Sequence, residues 1–585
     1  MNIIGRKLKV WIIMTTIWFL HAETWGQGHS YPTDYFRSPM NIPLTTSGTF
    51  AEIRNNHFHS GMDFRVGGEI GEPVYSVSDG YVSRIKVSAF GGGKTVYITH
   101  RNGFKSVYMH LNNFSGKIAS YVKEYQYTNK VFEFDLDIND SVLLVEHGQQ
   151  IGNAGNTGGS QGPHLHFELR YAHNDKTINP LLFGLPFNDN IAPVIHNVRV
   201  YPVGKTVHIN GKNAPLALVE TRTNKKTKKK YTKIHDTVEV SGRFYAGIYA
   251  TDAAPQSTGR NGVFDIKMFV DGKLHFQYSP TEFMFEETRA VNTMIDYSFY
   301  KKTRQPYILS RVLRGNKAEV CKVAKNRGYI SFNDEKCHKI TYQVSDYSGN
   351  ISKFSFVVKN VPQVAKATKA EPLDDYNIPV AYYLKNRYRT DGFAVYFDEN
   401  TFYENDLMKY ERKSLNRPLL MTDVHTISFK NYPYPPHNAY TLKITIPDSL
   451  RSLKDKLVLV LVNPKTSLSQ PFKLENDTIV GNPREFGSFA LALDTVAPTV
   501  SPINFKVGKT CNTKMLRVKI TDHLSSIYRY NCYINGNWVL AEYDGKTASL
   551  TIDVSEMVQK GGNVLDVIVS DRVGNTTKKK WNIVY

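Results

Sequence analysis

The segment Gly155 to Arg170 ends in His164-Leu165-His166-Phe167-Glu168-Leu169-Arg170, which alternates apolar and polar residues without a break. In a strand, Leu165, Phe167 and Leu169 point to one face and His164, His166, Glu168 and Arg170 to the other, so both histidines leave the core on the same side. The glycines ahead of them permit a tight bend and the close approach of another chain segment. Upstream, His57-Phe58-His59-Ser60-Gly61-Met62-Asp63-Phe64-Arg65-Val66 sends Met62, Phe64 and Val66 inward. His59 and Asp63 share a face whether the segment is strand or helix. Alone, each spacing is better explained by solvated or hydrogen-bonded histidines, because a chain with 18 His produces His-x-x-x-Asp by chance. With Tyr108-Met109-His110-Leu111 between them, the segments read as one site. Imidazoles and a carboxylate brought together form a nitrogen and oxygen donor set that suits zinc and leaves a position for water. The metal acidifies that water for attack on an amide carbonyl, while further imidazoles of ordinary pKa move protons.

The ordered set, from His-Ser-Gly-Met-Asp-Phe through Gly71-Glu72-Pro73-Val74 and Asp79-Gly80-Tyr81-Val82 to Gly-Pro-His-Leu-His-Phe-Glu, resembles the lysostaphin-type (LytM family) zinc metallopeptidases. These enzymes cleave peptide cross-bridges of peptidoglycan. The resemblance covers about 59–180. It implies that His59, Asp63 and His166 bind one zinc ion and that His110 and His164 are the catalytic pair. His57 shares the face of His59 and is an alternative ligand, although the family pattern favours His59. Between Asn112 and His147 the chain is about twenty residues longer than the family's usual link. The extra residues include Tyr121, Tyr125, Tyr127, Phe132 and Phe134, and they form either a flap over the cleft or a surface hairpin packed by its own aromatics.

The elements that must position this site are strands. Short alternating runs bounded by Gly, Asn, Asp and Pro recur along the chain, and a 3.6-residue apolar period is rare. The expected fold class is all-β, an antiparallel β metallopeptidase domain followed by β-sandwiches. Thr95 to Thr99 and Ser106 to Met109, joined through Asn102-Gly103, read as a hairpin. Asp189-Asn190-Ile191-Ala192-Pro193 is echoed by Asp494-Thr495-Val496-Ala497-Pro498, and each opens a new domain. Val344-Ser345-Asp346-Tyr347-Ser348-Gly349-Asn350 is echoed by Val569-Ser570-Asp571-Arg572-Val573-Gly574-Asn575. This Asp-x-x-Gly-Asn turn is similar to that of bacterial immunoglobulin-like sandwiches. The expected organisation is a signal peptide at 1–26, the peptidase domain at 27–185, an immunoglobulin-like sandwich at 190–360, a β-rich domain of unknown type at 361–495, and a second immunoglobulin-like sandwich at 496–585.

Arg6, Lys7 and Lys9 precede the apolar run Val10 to Leu20, the pattern of a secretory leader, short for a membrane span. The net charge is +20, and the leader contributes little of it. A basic exported protein suits an anionic polymer such as a cell wall, and no zinc-finger spacing or RNA-binding signature points to nucleic acid. Lys225, Lys226, Lys228, Lys229, Lys230 and Lys233 form either a contact for such a polymer or, the favoured reading, a solvated hairpin loop. No Cys lies near the cleavage site, so a lipoprotein is not expected. Cys321 with Cys337 and Cys511 with Cys532 could close local disulfides after export; the alternative is four thiols.

Three functions fit these features. The favoured one is an exported zinc endopeptidase acting on peptidoglycan stem peptides, in the periplasm or at the cell envelope. The others are a non-catalytic wall-binding relative or activator of another hydrolase, and a scaffold in which the sandwiches matter most. The filled set of five residues weighs against the second.

Overall fold

The computed structural model describes residues 31–223, 230–253, 261–362 and 375–585. The expected leader and the lysines at 225–229 lie outside them. The strands flanking that lysine run, Val219–Thr223 and Lys230–Ile234, pair antiparallel. Among the described residues no helix is long and apolar enough to cross a membrane.

The chain is mostly β. Its first body is a 12-stranded sheet in which Met62–Arg65, His164–Tyr171, Phe104–Phe114, Lys94–His100 and Gly80–Val87 lie side by side. The expected hairpin is present, with Thr99 opposite Lys105 and Gly103 in the left-handed region of the turn. Leu165, Phe167, Leu169, Met62 and Phe64 are wholly buried on the core face. The strand Glu282–Phe283, far along the chain, adds to this sheet beside Thr177–Ile178, so the peptidase sheet borrows an edge from the next module.

The segment 112–147 is neither a cleft flap nor a plain hairpin. It contains the helix Gly116–Asn129, which buries Ile118, Val122 and Gln126 at the four-residue spacing of one helix face. Tyr125 packs on Phe134, so part of the aromatic set does pack on itself.

Beyond the first sheet lie a four- and a seven-stranded sheet over about 194–360, a six- and a five-stranded sheet over about 378–493, and two four-stranded sheets over about 499–584. The last pair folds back on the first body. Lys94 pairs with Glu542 at 2.9 Å, Tyr127 meets Trp538 edge-on, and Lys546 Nζ donates to the carbonyls of Asn156 and Ser160.

All four cysteines are free thiols, which corrects the disulfide expectation. Cys321 and Cys337 start strands with two others between them in the sheet. Three strand spacings are about 14 Å, twice the Cα separation a disulfide tolerates. Cys532 lies in the strand Ile527–Ile534, while Cys511 bonds through its N–H to Val584 in the strand two places away.

Candidate metal centre and active site

Strand pairing assembles the site. His166 lies opposite Asp63 on one side and Met109 on the other. His59 enters from the turn before Met62, where Gly61 is required: a Cβ there would stand 2.8 Å from the Glu168 side chain and closer still to the Phe167 carbonyl. The approach loop is equally tight. Gly158 has φ +69° and a Cβ on it would meet Gly93 Cα at 2.7 Å, the close approach expected of the glycine-rich run.

His59 Nε2, Asp63 Oδ1 and His166 Nδ1 lie 2.9 to 3.0 Å from one another. Each ring is turned by its other nitrogen. His59 Nδ1–H donates to the Thr49 carbonyl at 2.7 Å, and His166 Nε2–H donates to Glu168 Oε1 at 2.8 Å. With those protons engaged outside, three electron-pair donors converge on one point, all of them buried. A tetrahedral zinc with ligands at about 2.0–2.1 Å has edges of about 3.3 Å, so these donors fit it with a few tenths of an ångström of movement. Such outer partners fix tautomer and aim in metal sites.

The electrostatics agree with donors awaiting a cation. Burial alone would raise the Asp63 carboxyl, but His59, and the imidazoles of His164 and His166 packed against its oxygen, hold it well below the usual range. Burial lowers His59 to about 4. Burial also acts to lower His166, yet its bonds to Asp63 and Glu168 outweigh that and push it up to about 9. Without metal, one proton sits among the three donors.

His110 and His164 stand beside this cluster, their ring centroids 4.8 Å apart. His110 has φ +62°, unusual for a side chain with a Cβ, in a strand whose pairing shifts register on both sides. The irregularity re-aims the side chain towards the cleft. Its Nδ1–H donates to the Thr157 carbonyl at 2.8 Å, and burial, with His166 and His164 nearby, lowers it to about 3. His164 Nδ1–H donates to the Gly162 carbonyl at 2.9 Å, and its Nε2 lies 3.4 Å from Asp63 Oδ1. Both line a cleft of about 980 Å³, walled by Gly67, Gly68 and the 159–163 loop; no residue of 112–147 lies on that wall. His57 lines the cleft but bonds to Asn55, and it is His59 that joins Asp63 and His166.

Three side chains of the site went unassigned at the sequence level. Glu168 is fully buried between His166 and Arg170, which hold it down to about 2 although burial opposes this. Its place two residues after His166 on one strand face was the available signal. Arg54 caps Asp63 Oδ2 from a separate hairpin, and Glu52 beside it is raised to about 7, first by burial. No spacing pattern announces either.

The architecture and the histidine and aspartate cluster define a metallopeptidase-type domain. Residues 57–132 and 140–180 match peptidase family M23, so this segment of the chain is an M23 domain, and the LytM resemblance is borne out. Residues 378–494, for which no type was expected, match a Zu5-like domain. Similar proteins include an uncharacterized metalloprotease of Haemophilus influenzae, 31% identical over 27% of this chain and 29% of its own length. DD-carboxypeptidase/endopeptidase Mpg of Neisseria meningitidis serogroup B is 32% identical over 22% of this chain and 23% of its own. Lysostaphin of Staphylococcus simulans is 32% identical over 25% and 23%. The chain thus spans less than a third of the length of these curated relatives. Among solved structures, the lysostaphin catalytic domain is 24% identical, covering 24% of this chain and 91% of that one with a TM-score of 0.19.

Proposed function

We propose that the chain is an exported zinc metalloendopeptidase that hydrolyses peptide cross-links of peptidoglycan. The observation that carries this reading is the convergence of His59, Asp63 and His166, each ring aimed by an outer partner, beside two further imidazoles on the wall of a cleft. Zinc held by these three residues supplies Lewis acidity that polarises an amide carbonyl and acidifies water. His110, neutral near pH 7 with Nδ1 tied to Thr157, keeps Nε2 free to take or return a proton. His164, tied through Nδ1 to Gly162, turns Nε2 to the cleft, where it can take a proton from water and, once protonated, donate to the oxygen on which charge develops. Arg54 and Glu168 hold the carboxylate and the imidazole in place. The glycine-lined wall presents backbone groups at which an extended peptide can lie. The β modules at 190–360 and 496–585 are immunoglobulin-like spacers, and the net positive charge favours the anionic wall.

The test is mass analysis of muropeptides released from purified peptidoglycan, with and without a chelator. New peptide termini that vanish on chelation are expected. Unchanged peptidoglycan in the presence of zinc would overturn the reading.

A further inference from the structure

Outside the peptidase domain, the two pairs of sequence echoes converge in space. Asp189 of the first joint, Asp252, and Asp346 of the Asp-x-x-Gly-Asn turn bring carboxylate oxygens within 4.8 Å of one another, and Asp494, Asp522 and Asp571 do the same in the last module. The equivalence holds residue by residue. Asp252 directly follows Thr251, which pairs with Val194; Asp522 directly follows Thr521, which pairs with Thr499. Asn350 Nδ2 donates to the Asp189 carbonyl at 3.1 Å and to Asp346 Oδ2 at 2.8 Å. Asn575 Nδ2 repeats both bonds to Asp494 and Asp571 at the same distances.

Four of these six carboxylates are buried, Asp189 and Asp522 are partly exposed, and none has a counter-charge in contact. Asp252, Asp346, Asp494 and Asp571 are at most 7% exposed. Lys456, beside the last cluster, donates to the Val573 carbonyl and to Asn575 Oδ1 rather than to a carboxylate, and among the described residues no basic side chain forms an ion pair with any of the six. The carboxylates act on each other instead: burial, then Asp189 and Asp346, pushes Asp252 up to about 7, and burial, then Asp494 and Asp571, raises Asp522. Three acids crowded out of water need a cation or must give up their charge.

Each cluster also has a buried neutral oxygen with nothing to bond. Asn261, 2% exposed, is paired backbone to backbone with Asp252, so the two side chains stand on one face, and neither Oδ1 nor Nδ2 has a partner. It lines one small cavity with Asp189 and Asp252. In the last module Ser525, fully buried, donates its N–H to Asp494 Oδ2 at 3.0 Å while its Oγ has no partner. Asp252 Oδ1 and Asp522 Oδ1 are likewise unpartnered.

We propose that each cluster binds a calcium ion through its three carboxylates and the adjacent neutral oxygen. An all-oxygen set selects a hard cation, and the lack of nitrogen or sulfur donors argues against zinc. Flexible coordination by several carboxylates at irregular angles suits calcium better than magnesium, which demands a near-ideal octahedron and keeps its waters. The ion would tie the joint that opens a module to a strand end and a turn within it, setting the angle at which the module leaves its neighbour. The proposal is independent of the peptidase reading.

Equilibrium dialysis of the chelator-stripped full chain against calcium chloride should find two calcium ions per chain, one for each cluster. The same count is expected for His166→Ala, which lacks an intact peptidase cluster. Asp252→Asn and Asp571→Asn keep the side-chain shape but remove a charge, and each should lower the count from two to one. Saturating calcium should also raise the melting temperature of the unsubstituted chain by a few degrees, a readout that stands if a variant does not fold. No uptake and no melting shift would overturn the proposal, as would uptake that both substitutions leave unchanged.

Discussion

The peptidase cluster and the acidic clusters of the β modules are built from similar strand and turn geometry, yet their surroundings differ in kind. At His59, Asp63 and His166 every donor has an orienting partner outside the cluster, and each nitrogen is aimed. At Asp494, Asp522 and Asp571 the donors are all oxygens, held by neutral N–H groups, with unpartnered atoms left over. Aimed nitrogens belong to a centre whose geometry must be exact enough for chemistry, whereas loosely held oxygens belong to one that needs only charge compensation. The partners around a cluster, more than its members, tell the two apart.

The largest expected effect breaks the aimed cluster outright. His166→Ala removes one of three donors, so zinc content by metal analysis should fall to background and hydrolysis with it. Next, His164→Ala and His110→Ala should keep their zinc and lose about 10²–10⁴-fold in turnover, since they remove proton handling or charge stabilisation but no donor. Metal loss in His164→Ala together with retention in His166→Ala would reverse the roles.

Smaller again, Glu168→Gln leaves all three donors but loosens the aim of His166, and zinc affinity should drop about 10–100-fold in a competitive chelator titration. The pH dependence sharpens the same point. In the metal-free protein His166 holds its proton up to about 9, above its unfolded value, so this group stabilises the fold fully below about 6.5. That contribution is lost as pH rises through about 9. Zinc competes for the same nitrogen, so its affinity should rise with pH over that window. Melting curves with and without zinc should therefore diverge as pH increases. The smallest effect concerns the exposed pair Lys123 and Glu556: Lys123→Ala should change stability by about 0.5 kcal/mol or less in denaturant unfolding.

The histidines and aspartate of the candidate site were legible because strand alternation carries them: His164 and His166 lie two apart on one face, and His59 lies four before Asp63. The helix Gly116–Asn129 was not legible, because only the narrow stripe Ile118, Val122 and Gln126 is buried and its tyrosines favour strands. Arg54 and Thr49 were invisible for another reason. They reach the site through a tertiary contact and a backbone carbonyl, and neither leaves a spacing in the sequence. The echoes at Asp189 and Asp494 were visible as domain joints, but their meeting with Asp252 and Asp522 depends on strand pairing alone.

Lys546 touches the carbonyls of Asn156 and Ser160 across a separation of 390 and 386 residues, and Glu542 reaches Lys94 across 448. Closing loops of that length is slow compared with local strand pairing. Strands adjacent in sequence, as in the hairpin of Lys94–His100 and Phe104–Phe114, can pair well before this brace closes. The glycine loop at the cleft rim therefore gains its outer brace only through a contact 386 to 390 residues distant in sequence, later than the neighbouring strands beneath it pair.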